Sequence, residues 1–145
     1  MNHTLSCGLR RSIPLQYAVV GCEIVSGPEA ILVVCENGFG KRSAVEEFRK
    51  CHRGGVGVKS IITSERNGNV VGALSVTDSD SLLMISSSGQ TIRIRLGDVR
   101  IMGRNTQGVR LANLKEDVLV AMQKIARLEG EEECNGNHVA NVPQV

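Results

Sequence analysis

Arg49-Lys50-Cys51-His52-Arg53 runs straight into Gly54-Gly55-Val56-Gly57, and 51 residues later Arg100, Arg104 and Gly108 reoccupy the places of Arg49, Arg53 and Gly57. Those residue types suit one chemistry. Glycine removes side-chain bulk, so that backbone N–H groups can approach an anion closely. Arginine adds a permanently charged, forked donor that matches phosphate oxygens. Together they fit contacts to a nucleic-acid backbone, which position a protein without reading sequence. The same pattern also fits a solvated turn, with glycine for geometry and arginine for solubility. The candidate contacts are Arg49, Lys50, Arg53, Lys59, Arg100, Arg104 and Arg110 in and after the loops, with loop glycines Gly54, Gly55, Gly57 and Gly108. Lys41, Arg42, Arg93 and Arg95 join them from strand positions, where a plain solvent face is the alternative.

The elements that position these residues repeat with them. Ile31–Ser60 returns as Leu82–Leu111 without a gap: Gly38 falls on Gly89, Arg42 on Arg93, Val58 on Val109 and Lys59 on Arg110. Further back, Val20-Gly21 falls on Val71-Gly72 and Val25 on Val76. A period near 50 residues marks a repeat architecture. Short runs of Val, Ile and Leu broken by Gly, Asn, Ser and Asp predict strands at Tyr17–Val25, Ala30–Cys35, Phe39–Val45 and Gly57–Thr63. Their counterparts are Val70–Val76, Ser81–Ser86, Thr91–Leu96 and Gly108–Asn113. In Thr91–Leu96, strict alternation puts Ile92, Ile94 and Leu96 on one face and Arg93 and Arg95 on the other. Asn37-Gly38, with Ser88-Gly89 in the equivalent place, predicts a type I′ hairpin. Asn67-Gly68 predicts a turn that pairs the last strand of repeat one with the first of repeat two, a form of hairpin exchange between blades.

The expected fold is all-β: two propeller- or pinwheel-like blades of four antiparallel strands each, with part of a third, open rather than closed. Residues 1–16 read as an irregular N-terminal segment, about 17–66 as repeat one, about 68–116 as repeat two and 118–128 as the start of a third. Val118–Leu128 fits either a strand or a short helix, and the repeat favours the strand. Residues 129–145 read as an acidic, disordered tail.

Composition narrows the function. The chain of 145 residues is 41% hydrophobic with no Trp, one Tyr and two Phe, so its core is aliphatic and base stacking on aromatic platforms is nearly excluded. Residues 1–128 hold all 17 Lys and Arg against 11 acidic residues, a balance of +6. Residues 129–145 hold four acidic residues and no base, so that a tail of −4 could compete with an anionic partner for the arginines. Five cysteines at spacings of 13 or more leave no CxxC pair, and no metal or cofactor is expected. Cys22 and Cys35 read as buried thiols. No signal peptide or membrane span is visible, which places the chain in the cytoplasm, with no membrane partner.

Catalytic signatures are missing. Phe39-Gly40-Lys41-Arg42 is not a P-loop, because Cys35 stands where the first glycine belongs and Arg42 replaces the Ser or Thr. Glu46, Glu47 and Asp98 beside the arginine loops balance charge rather than form an acid–base pair, and His52 reads as a surface residue. No catalytic residue and no small-molecule substrate are expected.

Glu36–Arg42 (ENGFGKR), Gly54–Val58 (GGVGV), Thr63–Leu74 (TSERNGNVVGAL) and Gly103–Leu111 (GRNTQGVRL) resemble the C-terminal domain of the bacterial DNA gyrase A subunit, with the topoisomerase IV A subunit second. The resemblance covers about residues 18–128 and extends to the last two blades and the tail. It implies a β-pinwheel, six-bladed in the family, that bends duplex DNA around a basic rim and so supports ATP-driven negative supercoiling by the whole enzyme. It further implies nucleoid association, the remaining gyrase A and B subunits as partners, and no enzymatic activity in this part. The family's breakage-reunion tyrosine has no match, because Tyr17 lies in a strand-like run. The family's box QRRGGKG is matched in part by His52–Gly57, with Val56 where the box has Lys. Other readings are a blade-pair scaffold whose partner is protein, or an inactive truncated fragment.

Overall fold

The computed structural model describes residues 18–126. Seven strands form two antiparallel sheets: β1 (Ala30–Cys35), β2 (Phe39–Ala44), β3 (Val70–Val76), β4 (Ser81–Ser86), β5 (Thr91–Arg95), β6 (Val109–Arg110) and β7 (Leu119–Ile125). The first sheet has order β3-β1-β2-β6 and the second β5-β4-β7. The architecture is therefore all-β, two open blades, the second showing three strands among the described residues. Short 3-10 turns at Val45–Glu47 and Leu96–Asp98 end the second strand of each central hairpin, β2 and β5.

The sheets exchange strands, though not through the hairpin that Asn67-Gly68 suggested. β3 of repeat two pairs with β1, Leu32 opposite Leu74 and Ala30 opposite Val76. β6 adds to the far edge of β2, Phe39 opposite Arg110. β7 does for β4 what β3 does for β1, Met84 opposite Met122. Each central hairpin is thus completed by the following repeat, and a register shift recurs at Val34/Cys35 and at Ile85/Ser86. The start of the third repeat is a strand, as the repeat required. Residues 57–63 form no strand, because β3 and β6 already take the two edges of the β1–β2 hairpin; beside them the buried Asn67 amide donates to the carbonyls of Ile62 (3.0 Å) and Gln107 (2.9 Å). Residues 18–25 form no strand either, and Tyr17 lies outside the described residues, as do the expected N-terminal segment and acidic tail.

The hairpin turns also differ from the type I′ expectation. Asn37 does not have positive φ, whereas Gly38 does, at 75°. The Gly38 N–H donates to the Cys35 carbonyl at 3.1 Å, so the connection spans three residues and ends on a left-handed glycine. A Cβ at Gly38 would stand 2.5 Å from the Ala112 carbonyl oxygen, which fixes glycine there twice over. Gly89 repeats the turn at φ 85°.

The core lies between the blades. Leu32, Val34 and Val76 of the first sheet pack with Leu82, Met84, Leu96 and Leu119 of the second. Each such side chain contributes roughly 1.5–3 kcal/mol on burial. β1 is buried on both faces: Val33 and Cys35 turn away from the second sheet and pack with Ile61, Ile31, Val70 and Ala73. Cys35 is a buried thiol as expected, whereas Cys22 is exposed.

Candidate nucleic-acid interface

The eleven cations named from sequence separate into three groups in space. Two are withdrawn from solvent. Lys41 is 0% exposed and Arg42 3%, which corrects the expectation that they face a ligand. The Lys41 ammonium donates to the carbonyls of Gly103 (2.8 Å) and Arg104 and reaches Thr106 Oγ1 at 3.2 Å. Burial lowers its pKa, Glu47 opposes the shift, and Arg104 adds to it. Arg42 donates through Nε to the Val99 carbonyl at 2.6 Å and pairs through Nη1 with Asp78 at 2.5 Å. Beside them Ser43 Oγ donates to the Met102 carbonyl, and the Met102 N–H to the Arg42 carbonyl. The physical reason is strand exchange. The second strand of one hairpin lies under the arginine loop of the next repeat, so its polar side chains become the loop's internal donors.

The second group does converge. Arg93 and Arg95 on β5, Arg100 after the second 3-10 turn, and Arg110 on β6 line one cleft of about 620 Å³. Ile94, Val99, Val109 and Leu111 give it an apolar floor, and Asp98 is its one carboxylate. β5 alternates as its spacing predicted, with Arg93 and Arg95 exposed and Ile92 and Ile94 half-buried. Arg93 Nη2 stays within 3.4 Å of Ser81 Oγ. β6 reaches the cleft because Gly108, at φ 82°, lets the chain meet β2: a Cβ there would stand 2.5 Å from the Gly40 carbonyl oxygen.

The third group sits on the loops of repeat one. Arg49, Lys50, Arg53 and Lys59 are all exposed. Arg49 Nη2 donates to the Val56 carbonyl at 3.0 Å, which closes the loop on itself. Gly54 and Gly57 face open space, and Gly55 packs over His52. Half-buried Arg104 comes near from repeat two, its Nη1 donating to the Lys59 carbonyl at 2.8 Å and its N–H to Glu47 Oε2 at 2.5 Å. The two loops therefore touch, but they do not form one continuous ring of guanidinium groups.

Sequence reasoning missed Arg66. Its guanidinium lies 4.4 Å from the Phe39 ring centroid, and Arg110 lies 5.3 Å from the same ring. Phe39, Arg66, Arg110, Asn37 and Lys115 line a second cleft of about 330 Å³. Stacking a cation on a ring needs only an aromatic neighbour, and nothing in the spacing of Phe39 and Arg66 announces one. What brings them together is the Asn37 side chain, which donates to the carbonyls of Glu65 (3.0 Å) and Arg66 (3.1 Å). Among the described residues no group of three or more His, Cys, Asp and Glu could hold a metal ion. No described helix is long and apolar enough to cross a membrane.

These features have close counterparts among known proteins. A family model described as DNA gyrase C-terminal domain, beta-propeller, matches residues 29–77 and 80–133. The DNA gyrase A subunit of Chlamydia pneumoniae is 60% identical over 116 residues, covering 79% of this chain and 14% of that protein. Its Escherichia coli (strain K12) counterpart is 44% identical over 118 residues, covering 81% and 14%. The chain thus spans about one seventh of the length of these relatives. A solved structure of a DNA gyrase A C-terminal domain superposes with a TM-score of 0.62 at 31% identity, covering 66% of this chain and 33% of that one. The C-terminal domain of DNA topoisomerase IV gives 0.65 at 25% identity, covering 71% and 32%. With the exchanged blades, the paired arginine loops and these matches in hand, the chain belongs to the family of DNA gyrase C-terminal β-propeller domains.

Proposed function

We propose that this chain is a DNA-binding module of the gyrase A type that holds the backbone of duplex DNA without reading its sequence. The observation that carries the reading is the cleft between β5 and β6, where Arg93, Arg95, Arg100 and Arg110 meet over an apolar floor. Arg49, Lys50, Arg53 and Lys59 extend the basic surface along the loop of repeat one, and Arg104 borders them. Lys41 and Arg42 serve the same surface indirectly, by holding the loop of repeat two in place. In a complete gyrase such a surface would bend DNA along the blade edges and bias the crossing offered for strand passage. The remaining A and B subunits would then be its partners, in the cytoplasm and on the nucleoid. The blade region is taken as residues 17–128, between the segment 1–16 and the acidic tail 129–145.

Fluorescence anisotropy of the whole chain on a labelled duplex tests this. With about four to six phosphates neutralised, log K should fall against log salt with a slope of roughly −4 to −5. Arg53→Ala and Arg100→Ala should each weaken binding alike on unrelated sequences and flatten the slope by about one. Binding that ignores salt, or variants that change affinity on one sequence only, would falsify the proposal.

A further inference from the structure

Repeat two reaches back to the hairpin of repeat one with two strands, β3 on one edge and β6 on the other. The sequence places the same two strands in repeat one. Val19-Val20-Gly21 matches Val70-Val71-Gly72 at the head of β3, and Val58 matches Val109 of β6. Neither has a strand partner among the described residues. Val19 is 79% exposed and Ile24 86%, whereas Ser75, the mate of Ile24, is 4% exposed. Gly21 has nothing within 4 Å, whereas Gly72 sits against the Met122 side chain.

The loop between them tells the same story. In repeat two the loop is held from below by Lys41, Arg42 and Ser43 of the preceding hairpin. In repeat one the equivalent carbonyls, on His52 and Arg53, receive no such donors from a preceding hairpin among the described residues, and Gly54 and Gly57 face open space. The outward face of β1, with Val33 and Cys35, is the repeat mate of the Met84 and Ser86 face of β4, which lies against the first sheet. Three donor strands therefore accompany two acceptor hairpins.

We infer that residues 19–25 and 58–59 form a clamp for a third β-hairpin, one lying outside residues 18–126. That hairpin would take 19–25 along its first strand and 58–59 along its second. Its second strand would carry the chemistry of Lys41-Arg42-Ser43, with an ammonium beneath the His52 and Arg53 carbonyls. The partner is thus a blade with unfilled hairpin edges, bound by backbone pairing in the manner of strand addition. This does not depend on DNA binding.

Hydrogen exchange on the whole chain tests it, with a second copy as probe. Val120→Pro with Ala121→Pro removes ladder donors from the exposed edge strand β7 and so bares β4. Alone and dilute, the unmutated chain should exchange amides 19–25 at nearly free rates while β1 and β3 stay protected. Mixed with the β7 variant it should form a one-to-one complex in which 19–25 slow by about a hundredfold. Gly21→Pro with Cys22→Pro should abolish the slowing without moving the chain's own Tm, since both residues are exposed. Three results would overturn the inference: protection of 19–25 in the dilute chain, no slowing against a β7 variant that keeps its β1–β3 protection, or slowing that survives the prolines. Should the double variant lose that protection, Gln123→Pro alone serves as the milder acceptor, with the same readings.

Discussion

Lys41 looks like a DNA contact in the sequence and behaves as an internal strut in the fold, and Lys41→Met separates the two roles. Methionine keeps most of the aliphatic stem and removes the ammonium. The carbonyls of Gly103 and Arg104 and the Thr106 hydroxyl then lose their shared donor. Hydrogen bonds to a charged group are worth about 1.5–3 kcal/mol each when their partners stay buried. Gly103 is exposed and Arg104 and Thr106 are half-buried, so water recovers part of that. Relief of the buried charge, whose cost shows in the lowered pKa of Lys41, offsets some of the rest. The net loss is about 2–3 kcal/mol, or roughly 8–12 °C in Tm at about 4 °C per kcal/mol. Thermal unfolding by circular dichroism reads this directly. Exposed Arg53→Ala, by contrast, should stay within about 0.5 kcal/mol of the parent. At a temperature well below both transitions, Lys41→Met should leave the salt slope of DNA binding unchanged. A Tm shift under about 2 °C together with a slope flattened by one unit would show that Lys41 touches phosphate, and the strut reasoning would fail.

Other outcomes follow from the same geometry. Iodoacetamide at mildly alkaline pH should label exposed Cys22 and Cys51 quickly but spare Cys35, whose thiol is pushed up to about 11 by burial and by Glu36; equal labelling of all three would contradict the packing of β1. An unfolded thiol titrates near about 8.5, so the unfolded chain loses that proton first. The Cys35 contribution to stability is complete below that pH and should be lost as pH climbs towards 11, visible as a falling Tm that Cys35→Ala lacks. Asp117 is held well below the usual carboxylate range by hydroxyl bonds from Ser86, Ser87 and Ser88. Its contribution is present above the ordinary carboxylate pKa and vanishes in acid, so Asp117→Asn should lower Tm at neutral pH and the gap should close as pH falls; a gap that ignores pH would assign the effect elsewhere. Deleting residues 129–145, which carry four acidic side chains and no base, should tighten DNA binding at low salt; unchanged affinity would remove the tail as a competitor.

The repeat, the all-β class and the central strands were legible because they rest on local rules. β-branched runs such as Ala30–Cys35, alternation in Thr91–Arg95 and Gly38 at a left-handed turn each act within a few residues. An offset of 51 residues then carries the reading of the central hairpin from one repeat to the next. What the sequence by itself determined was therefore which segments are strands in waiting and where the cations fall along them. Only the tertiary structure decided what those cations do, because burial is set by the neighbour that arrives. Arg42 and Arg93 are repeat mates at matching strand positions, yet Arg42 lies under the loop of the next repeat and pairs with Asp78, whereas Arg93 opens into a cleft. Strand exchange makes the difference: a side chain's environment belongs to the repeat that follows, about 50 residues away, and no local pattern reports it.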